Sequence, residues 1–275
     1  MHHGHQSRKE RAIDALEVIG YFDVLGIIAE SYDNIDISES SIKNLHNILM
    51  KYSKKDAWHK GDYKKQSNTV EATFPDGAKQ VIFKTTDPGY PTQIAMRQLV
   101  DWYNSDSQTH PLVKSALFAY DFVSIHPFQD GNGRLSRLLS TLLLLKNGYK
   151  WIQYVSFEHE IESRKTEYYK VLMSCQAQRP NEDVSEWLIF FVQSLLKIQK
   201  QLTLKLETKG TESQLSPKEK SILTYISNHP GCKSGDIASR LGIPNPTVKR
   251  ILPGLIAKNL IVKYGSGPGT NYSTI

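Results

Sequence analysis

The sequence predicts a mainly α-helical protein made of two units, and three observations carry that expectation. Apolar residues recur at helical spacing along most of the 275 residues, beginning with Ile13, Leu16, Ile19 and Ile27. β-Prone runs are confined to residues 68–74 and 80–85 and to the far C-terminus. A fresh helix start at Ser216-Pro217-Lys218-Glu219, behind a polar stretch at 197–210 and a linker-like 211–215, opens a second unit. The expected division is therefore 1–210, with a core at about 90–200, and 211–275.

Composition bounds the function. Hydrophobic content of 39% and charged content of 23% are those of a soluble globular protein. No apolar run reaches membrane-spanning length, and the run at 138–145 is broken by Lys146 and Asn147, so no membrane partner is expected. Residues 1–11 lack the apolar stretch of a secretory leader. His2, His3 and His5 read as an unstructured start rather than a metal cluster. Cys175 and Cys232 lie far apart, which supports neither a disulfide scaffold nor a zinc module, and a cytoplasmic protein is expected.

Taken in order, residues 7–30 form an amphipathic helix, and Ser38 caps a second that runs to about Tyr52 and buries Ile42, Leu45 and Leu49. Both read as core stripes without special chemistry. The runs at 68–74 and 80–85 then pair as a hairpin across Pro75-Asp76-Gly77-Ala78, with Asp-Gly supplying the turn. Helices resume at 93–104 and after His110-Pro111, where proline suits a first turn. Residues 158–175 read as one helix carrying Arg164, Tyr168 and Tyr169, and a long helix follows from Asn181.

The helix at 112–125 leads into His126-Pro127-Phe128-Gln129-Asp130-Gly131-Asn132-Gly133-Arg134-Leu135-Ser136-Arg137, and a second apolar run carries the chain away. In the Gly131-Asn132-Gly133 turn the missing β-carbons let backbone N–H groups converge on an anion, and the helix that follows adds the positive end of its dipole. Arg134 and Arg137, three apart, share a helix face and can grip further phosphate oxygens. His126 is placed for proton transfer, and Asp130 for a hard cation such as Mg²⁺. A structural loop needs neither the paired guanidinium groups nor the acid.

These twelve residues resemble the signature of the Fic family, His-Pro-Phe-x-(Asp/Glu)-Gly-Asn-Gly-Arg-x-x-Arg, at every fixed position. The resemblance implies a Fic-type helical bundle with a small β-hairpin flap, and transfer of AMP from ATP to a hydroxyl side chain of a target protein. It assigns His126 as the base, Asp130 as the Mg²⁺ ligand, and Phe128, Gly131, Asn132 and Gly133 to the nucleotide. Arg134 and Arg137 are assigned to its β- and γ-phosphates, and Tyr169, in a Tyr-Tyr pair, to the nucleoside pocket. The target is expected to pair with the hairpin at 68–86 by strand addition. Gly61-Asp62-Tyr63-Lys64 is similar to the family's Gly-x-Tyr-Arg run, with lysine in place of arginine. Removal of AMP or a different transfer on the same scaffold is the enzymatic alternative, and a DNA-binding regulator whose nucleotide site only senses ligand is the other.

Many relatives carry an inhibitory helix, (Ser/Thr)-x-x-x-Glu-(Gly/Asn), whose glutamate pairs with the second arginine. Residues 67–72 and 203–208 come nearest, each with the wrong residue after the glutamate. The expectation is an unpaired Arg137 and an unrestrained chain.

The C-terminal unit reads as a winged helix-turn-helix, with helices to about Ser227, at 234–241 and at 245–259, then strands at 260–263 and 271–274. Ten of the 34 basic residues but only four of the 28 acidic ones lie in 201–275, leaving 24 of each in the rest of the chain. Lys249, Arg250 and Lys258 are candidates for a DNA backbone. Pro253-Gly254 inside the third helix predicts a kink, so protein docking or homodimerisation stands level with DNA binding.

Overall fold

The computed structural model describes residues 8–53, 57–73, 79–213 and 215–274. The terminal histidines and the hairpin turn at 75–78 lie outside them. The chain is mainly helical and divides into two compact units, 1–199 and 200–275. The division falls inside one long helix, Ser185–Ser213, and so ahead of the expected boundary after residue 210.

The first unit begins with α1 (Arg8–Ser31) and α2 (Glu39–Leu49), the latter capped by the Ser38 hydroxyl accepting the Ser41 N–H at 3.1 Å. The two helices approach closely at Gly20, where an added Cβ would lie 2.1 Å from the Leu49 carbonyl oxygen. β1 (Thr69–Thr73) and β2 (Lys79–Lys84) follow as an antiparallel pair in the register Thr69↔Lys84, with an irregularity between Val70 and Glu71. They make a two-stranded sheet, so each keeps an edge without a partner strand among the described residues.

α3 (Tyr90–Ser105) starts three residues before the expected Gln93, with Pro91 in its first turn. α4 (Pro111–Ile125) and α5 (Asn132–Lys146) form the centre of the core, burying Phe118, Phe122, Leu138, Leu142, Leu143 and Leu144 to 1% exposure or less. They need both faces apolar because other helices surround them.

The single helix expected over 158–175 is two, α6 (Phe157–Ser163) and α7 (Lys165–Gln176). The break is at Arg164 (φ −115°, ψ 27°), where the Ser163 hydroxyl donates to the Glu160 carbonyl and competes with the backbone ladder. α8 (Ser185–Ser213) starts four residues later than expected, because Asp183 Oδ1 accepts the Ser185 N–H at 2.9 Å and caps it there. Trp187, Phe190 and Phe191 of α8 complete the core.

In the second unit α9 (Pro217–Asn228) opens with a full capping box between Ser216 and Glu219. α10 (Ser234–Leu241) ends at the left-handed Gly242, and α11 (Asn245–Ala257) follows. β3 (Ile261–Tyr264) and β4 (Asn271–Thr274) pair antiparallel as a wing, which an isolated bridge from Cys232 to Tyr272 extends. α11 runs on through Pro253. Pro253 and Lys249 are both exposed, so water has access to the backbone where the proline removes an N–H.

Candidate active site

α4 and α5 are antiparallel neighbours, and residues 126–131 join them. His126 ends α4 in a left-handed conformation (φ 53°, ψ 59°) and is half-buried. Its Nδ1 lies 3.1 Å from the Val123 carbonyl oxygen. A carbonyl only accepts, so Nδ1 carries the proton, and the lone pair of the neutral ring is on Nε2. Burial pushes the imidazole pKa down to about 4, against the Val123 hydrogen bond, which raises it; Lys64 lowers it and Asp130 raises it.

The rest of the loop is locked by its own side chains. Asn132 is 1% exposed, its Oδ1 accepts the Phe128 N–H at 2.8 Å, and its Nδ2 donates to the Phe128 carbonyl at 2.8 Å. Its amide is thus a brace, and what it offers an anion is its backbone N–H. Phe128 is wholly buried, with its ring stacked on His46 at 3.7 Å between centroids and 6° between planes, so its side chain anchors the loop.

Gly131 (φ 78°) is the N-cap of α5, and an added Cβ would meet Met50 Sδ at 2.9 Å. Only glycine combines that backbone with that contact. The N–H groups of Asn132, Gly133 and Arg134 open α5 and have no acceptor within the helix. Asp130 Oδ1 accepts the Gly131 N–H at 2.6 Å and lies 3.8 Å from the Arg134 guanidinium, with its side chain 42% exposed. Among the described residues no cluster of three His, Cys, Asp or Glu forms a protein cage for a metal. One accessible carboxylate beside an anion-binding turn does fit Mg²⁺, which takes its remaining ligands from phosphate oxygens and water.

Three partners were not legible as site residues. His46 of α2 accepts the Gly61 N–H on Nδ1 at 2.9 Å, so its Nε2–H donates to the Asp130 carbonyl at 3.0 Å. Burial pushes its pKa down to about 4 as well, which keeps it neutral. Glu17 of α1 pairs with Arg134 at 2.9 Å. Glu158 of α6 makes a bidentate pair with Arg137, through Nε to Oε2 and through Nη2 to Oε1 at 2.7 Å. The expectation of an unpaired Arg137 is therefore wrong. A carboxylate reaches it from a helix that follows the loop, in a sequence context unlike the inhibitory motif. Burial opposes the Arg137 charge, and the Glu158 hydrogen bonds and charge, with Tyr168 and Tyr21, together more than restore it.

Tyr169 is half-buried on α7, edge-on to Tyr168 at 5.3 Å. Tyr168 belongs to the core.

In the second unit Lys249 and Arg250 are exposed on α11. Lys258 instead pairs with Glu219 at 3.2 Å.

The helical bundle presents a histidine above a glycine-turned helix N-terminus with two arginines, an arrangement whose donors and charge suit an anion. Residues 36–144 match the model of the Fic/DOC family, and this segment of the chain is a Fic domain. Residues 213–269 match the MarR family, in agreement with the winged helix.

Similar proteins include the protein adenylyltransferase Fic of Drosophila melanogaster, 33% identical over 147 residues, which are 50% of this chain and 27% of that protein. Its counterpart in Drosophila willistoni is 32% identical over the same length. The chain thus spans little more than a quarter of these relatives. A Fic family protein from Desulfovibrio desulfuricans shares the fold, with a TM-score of 0.57, 24% identity, and coverage of 94% of this chain and 74% of that one. Fic-1 from C. elegans also shares it, at a TM-score of 0.53 and 22% identity, over 74% of this chain and 55% of the other.

Proposed function

We propose that this chain transfers AMP from ATP to a hydroxyl side chain of a target protein. One observation carries the reading: an imidazole with its lone pair on Nε2 stands at the head of a glycine turn whose helix N-terminus and two arginines suit a triphosphate. In the reaction the target hydroxyl oxygen attacks the α-phosphorus, the bond to the β-phosphate breaks, and pyrophosphate leaves. His126 Nε2 takes the hydroxyl proton. The N–H groups of Asn132, Gly133 and Arg134 receive the charge on the phosphate oxygens, with Arg134 and Arg137 further along the chain of phosphates. Asp130 would hold Mg²⁺, which neutralises phosphate charge. Tyr169 borders the nucleoside, and the free edges of β1 and β2 take an extended segment of the target.

Intact-mass measurement after incubation with ATP, Mg²⁺ and a cell lysate tests this. The expected product is a protein heavier by one AMP residue. A protein heavier by a phosphate alone would replace the reading with phosphate transfer.

A second reading concerns residues 200–275, where the MarR match and the surplus of basic residues favour a nucleic-acid surface. Base edges are met by the first turns of a recognition helix, and Asn245 to Arg250 precede Pro253. Duplex DNA is expected to bind at low salt and to be released steeply as salt rises. The double variant Lys249→Ala, Arg250→Ala should lower the salt slope by about 2. An unchanged slope would move the contact elsewhere, and no binding at low salt would leave protein docking as the role of this unit.

A further inference from the structure

The hairpin and His126 meet at one side chain, Lys64. It is 1% exposed, and its three N–H bonds go to neutral oxygens: the Ile125 carbonyl at 3.1 Å, Asn68 Oδ1 at 2.9 Å and Thr85 Oγ1 at 2.8 Å. Ile125 is the last residue of α4, so its carbonyl has no donor within the helix, and an ammonium there also meets the negative end of the helix dipole. The Lys64 backbone N–H donates to the Pro127 carbonyl at 2.8 Å, and Asn68 Nδ2 donates to the Phe128 carbonyl at 2.9 Å. Carbonyls on both sides of His126 are therefore held from one short segment. His126 itself has φ 53°, in the left-handed region that non-glycine residues enter uncommonly.

The same ammonium holds both feet of the hairpin. Asn68 immediately precedes β1 and Thr85 immediately follows β2, and the Thr85 hydroxyl donates on to the Asn68 carbonyl at 2.8 Å. A displacement of either strand at its root pulls on the ammonium, and through it on the carbonyl next to His126. A buried ammonium is an expensive way to fix a loop unless every donor is satisfied, as here, and it is a stiff one.

We propose that Lys64 is a positioning residue that couples the hairpin to His126, so that a segment laid along the hairpin and the base that deprotonates it share one geometry. This rests on the AMP-transfer reading for its purpose, while the coupling itself can be measured without any reaction.

The test is an NMR titration of the His126 imidazole in the full chain, in the wild type and in Lys64→Met, Lys64→Arg and Thr85→Val. The charged groups that face His126 are Lys64, which lowers its pKa, and Asp130, which raises it. Lys64→Met is expected to shift the His126 resonances and to move the titration midpoint upward. Lys64→Arg should return both toward the wild-type values. Thr85→Val, which loses one of the three acceptors of the Lys64 ammonium and the hydroxyl's bond to the Asn68 carbonyl, should shift the resonances in the same direction by less. In transfer assays Lys64→Met should lower kcat by about tenfold or more, with the nucleotide KM within about twofold, as expected when a base is misplaced but binding is not.

If Lys64→Met does not fold, Thr85→Val and Lys64→Arg decide the matter. Unchanged His126 resonances in folded Lys64→Met, or in Thr85→Val where only that variant folds, would overturn the coupling. A wild-type chain without transfer would instead defeat the AMP reading and leave the titration to decide the coupling separately.

Discussion

Replacing His126 with alanine is expected to cut AMP transfer by about 10²- to 10⁴-fold, the usual contribution of a positioned general base, and to leave nucleotide binding within about twofold. Nothing assigned to the phosphates lies on that side chain. Because alanine tolerates φ 53° poorly, His126→Asn is the better-folded companion, since asparagine enters the left-handed region more readily. Neither variant has a group able to take the hydroxyl proton. Single-turnover transfer beside an equilibrium nucleotide titration checks both halves, and full activity in a folded variant would remove His126 as the base.

The pH dependence follows from the same residue. Only the neutral imidazole accepts a proton, and burial holds its pKa down at about 4. The base is thus competent throughout the neutral range, and its acid limb, where protonation removes activity as pH falls, should lie near pH 4 rather than near the 6.5 of an exposed histidine. A limb near 6.5 would mean that the working imidazole is solvated.

Glu158→Gln should act in the opposite direction, tightening nucleotide binding and raising transfer. Arg137 is neutralised by a bidentate carboxylate, and Arg134 by Glu17, so the anion site faces an incoming triphosphate with both of its cations matched. Glutamine keeps the shape and an acceptor for the guanidinium but removes the charge. The phosphate then gains a charge-assisted bond of roughly 1.5–3 kcal/mol at full strength, discounted because the pair is partly solvated, so about tenfold in Kd is expected. Calorimetric titration with ATP reads it. Weaker binding in the variant would show that Glu158 holds Arg137 in place for the nucleotide.

The loop at 126–137 was legible in the sequence because its parts are contiguous. The proposed phosphate chemistry is read from a histidine, an acid, two glycines and two arginines in one run, without knowledge of any distant contact. The hairpin and the capping box at Ser216 were legible for the same reason, since turn and cap chemistry is local. What escaped came from afar. Glu17 is 117 residues from Arg134, and His46 is 84 from Asp130, and on an amphipathic helix each looks like any other polar or half-buried position. The break at Arg164 escaped because helix propensity is high on both sides of it, and the competing hydroxyl of Ser163 is a weak signal. Pro253 sits inside α11, where the sequence placed it, and the helix continues past it.

Gly20 carries no chemistry, yet it sets how near Glu17 can come. With hydrogen in place of a methyl, the first helix lies directly against the Leu49 carbonyl, and Glu17 sits one turn earlier on that helix. Any residue larger than glycine would lever the helix outward and carry the carboxylate away from Arg134. The electrostatic bias of the proposed phosphate cradle is therefore tuned by a steric clearance one helical turn away from Glu17, and variation at a position with no polar atom in its side chain is expected to alter how readily that cradle fills.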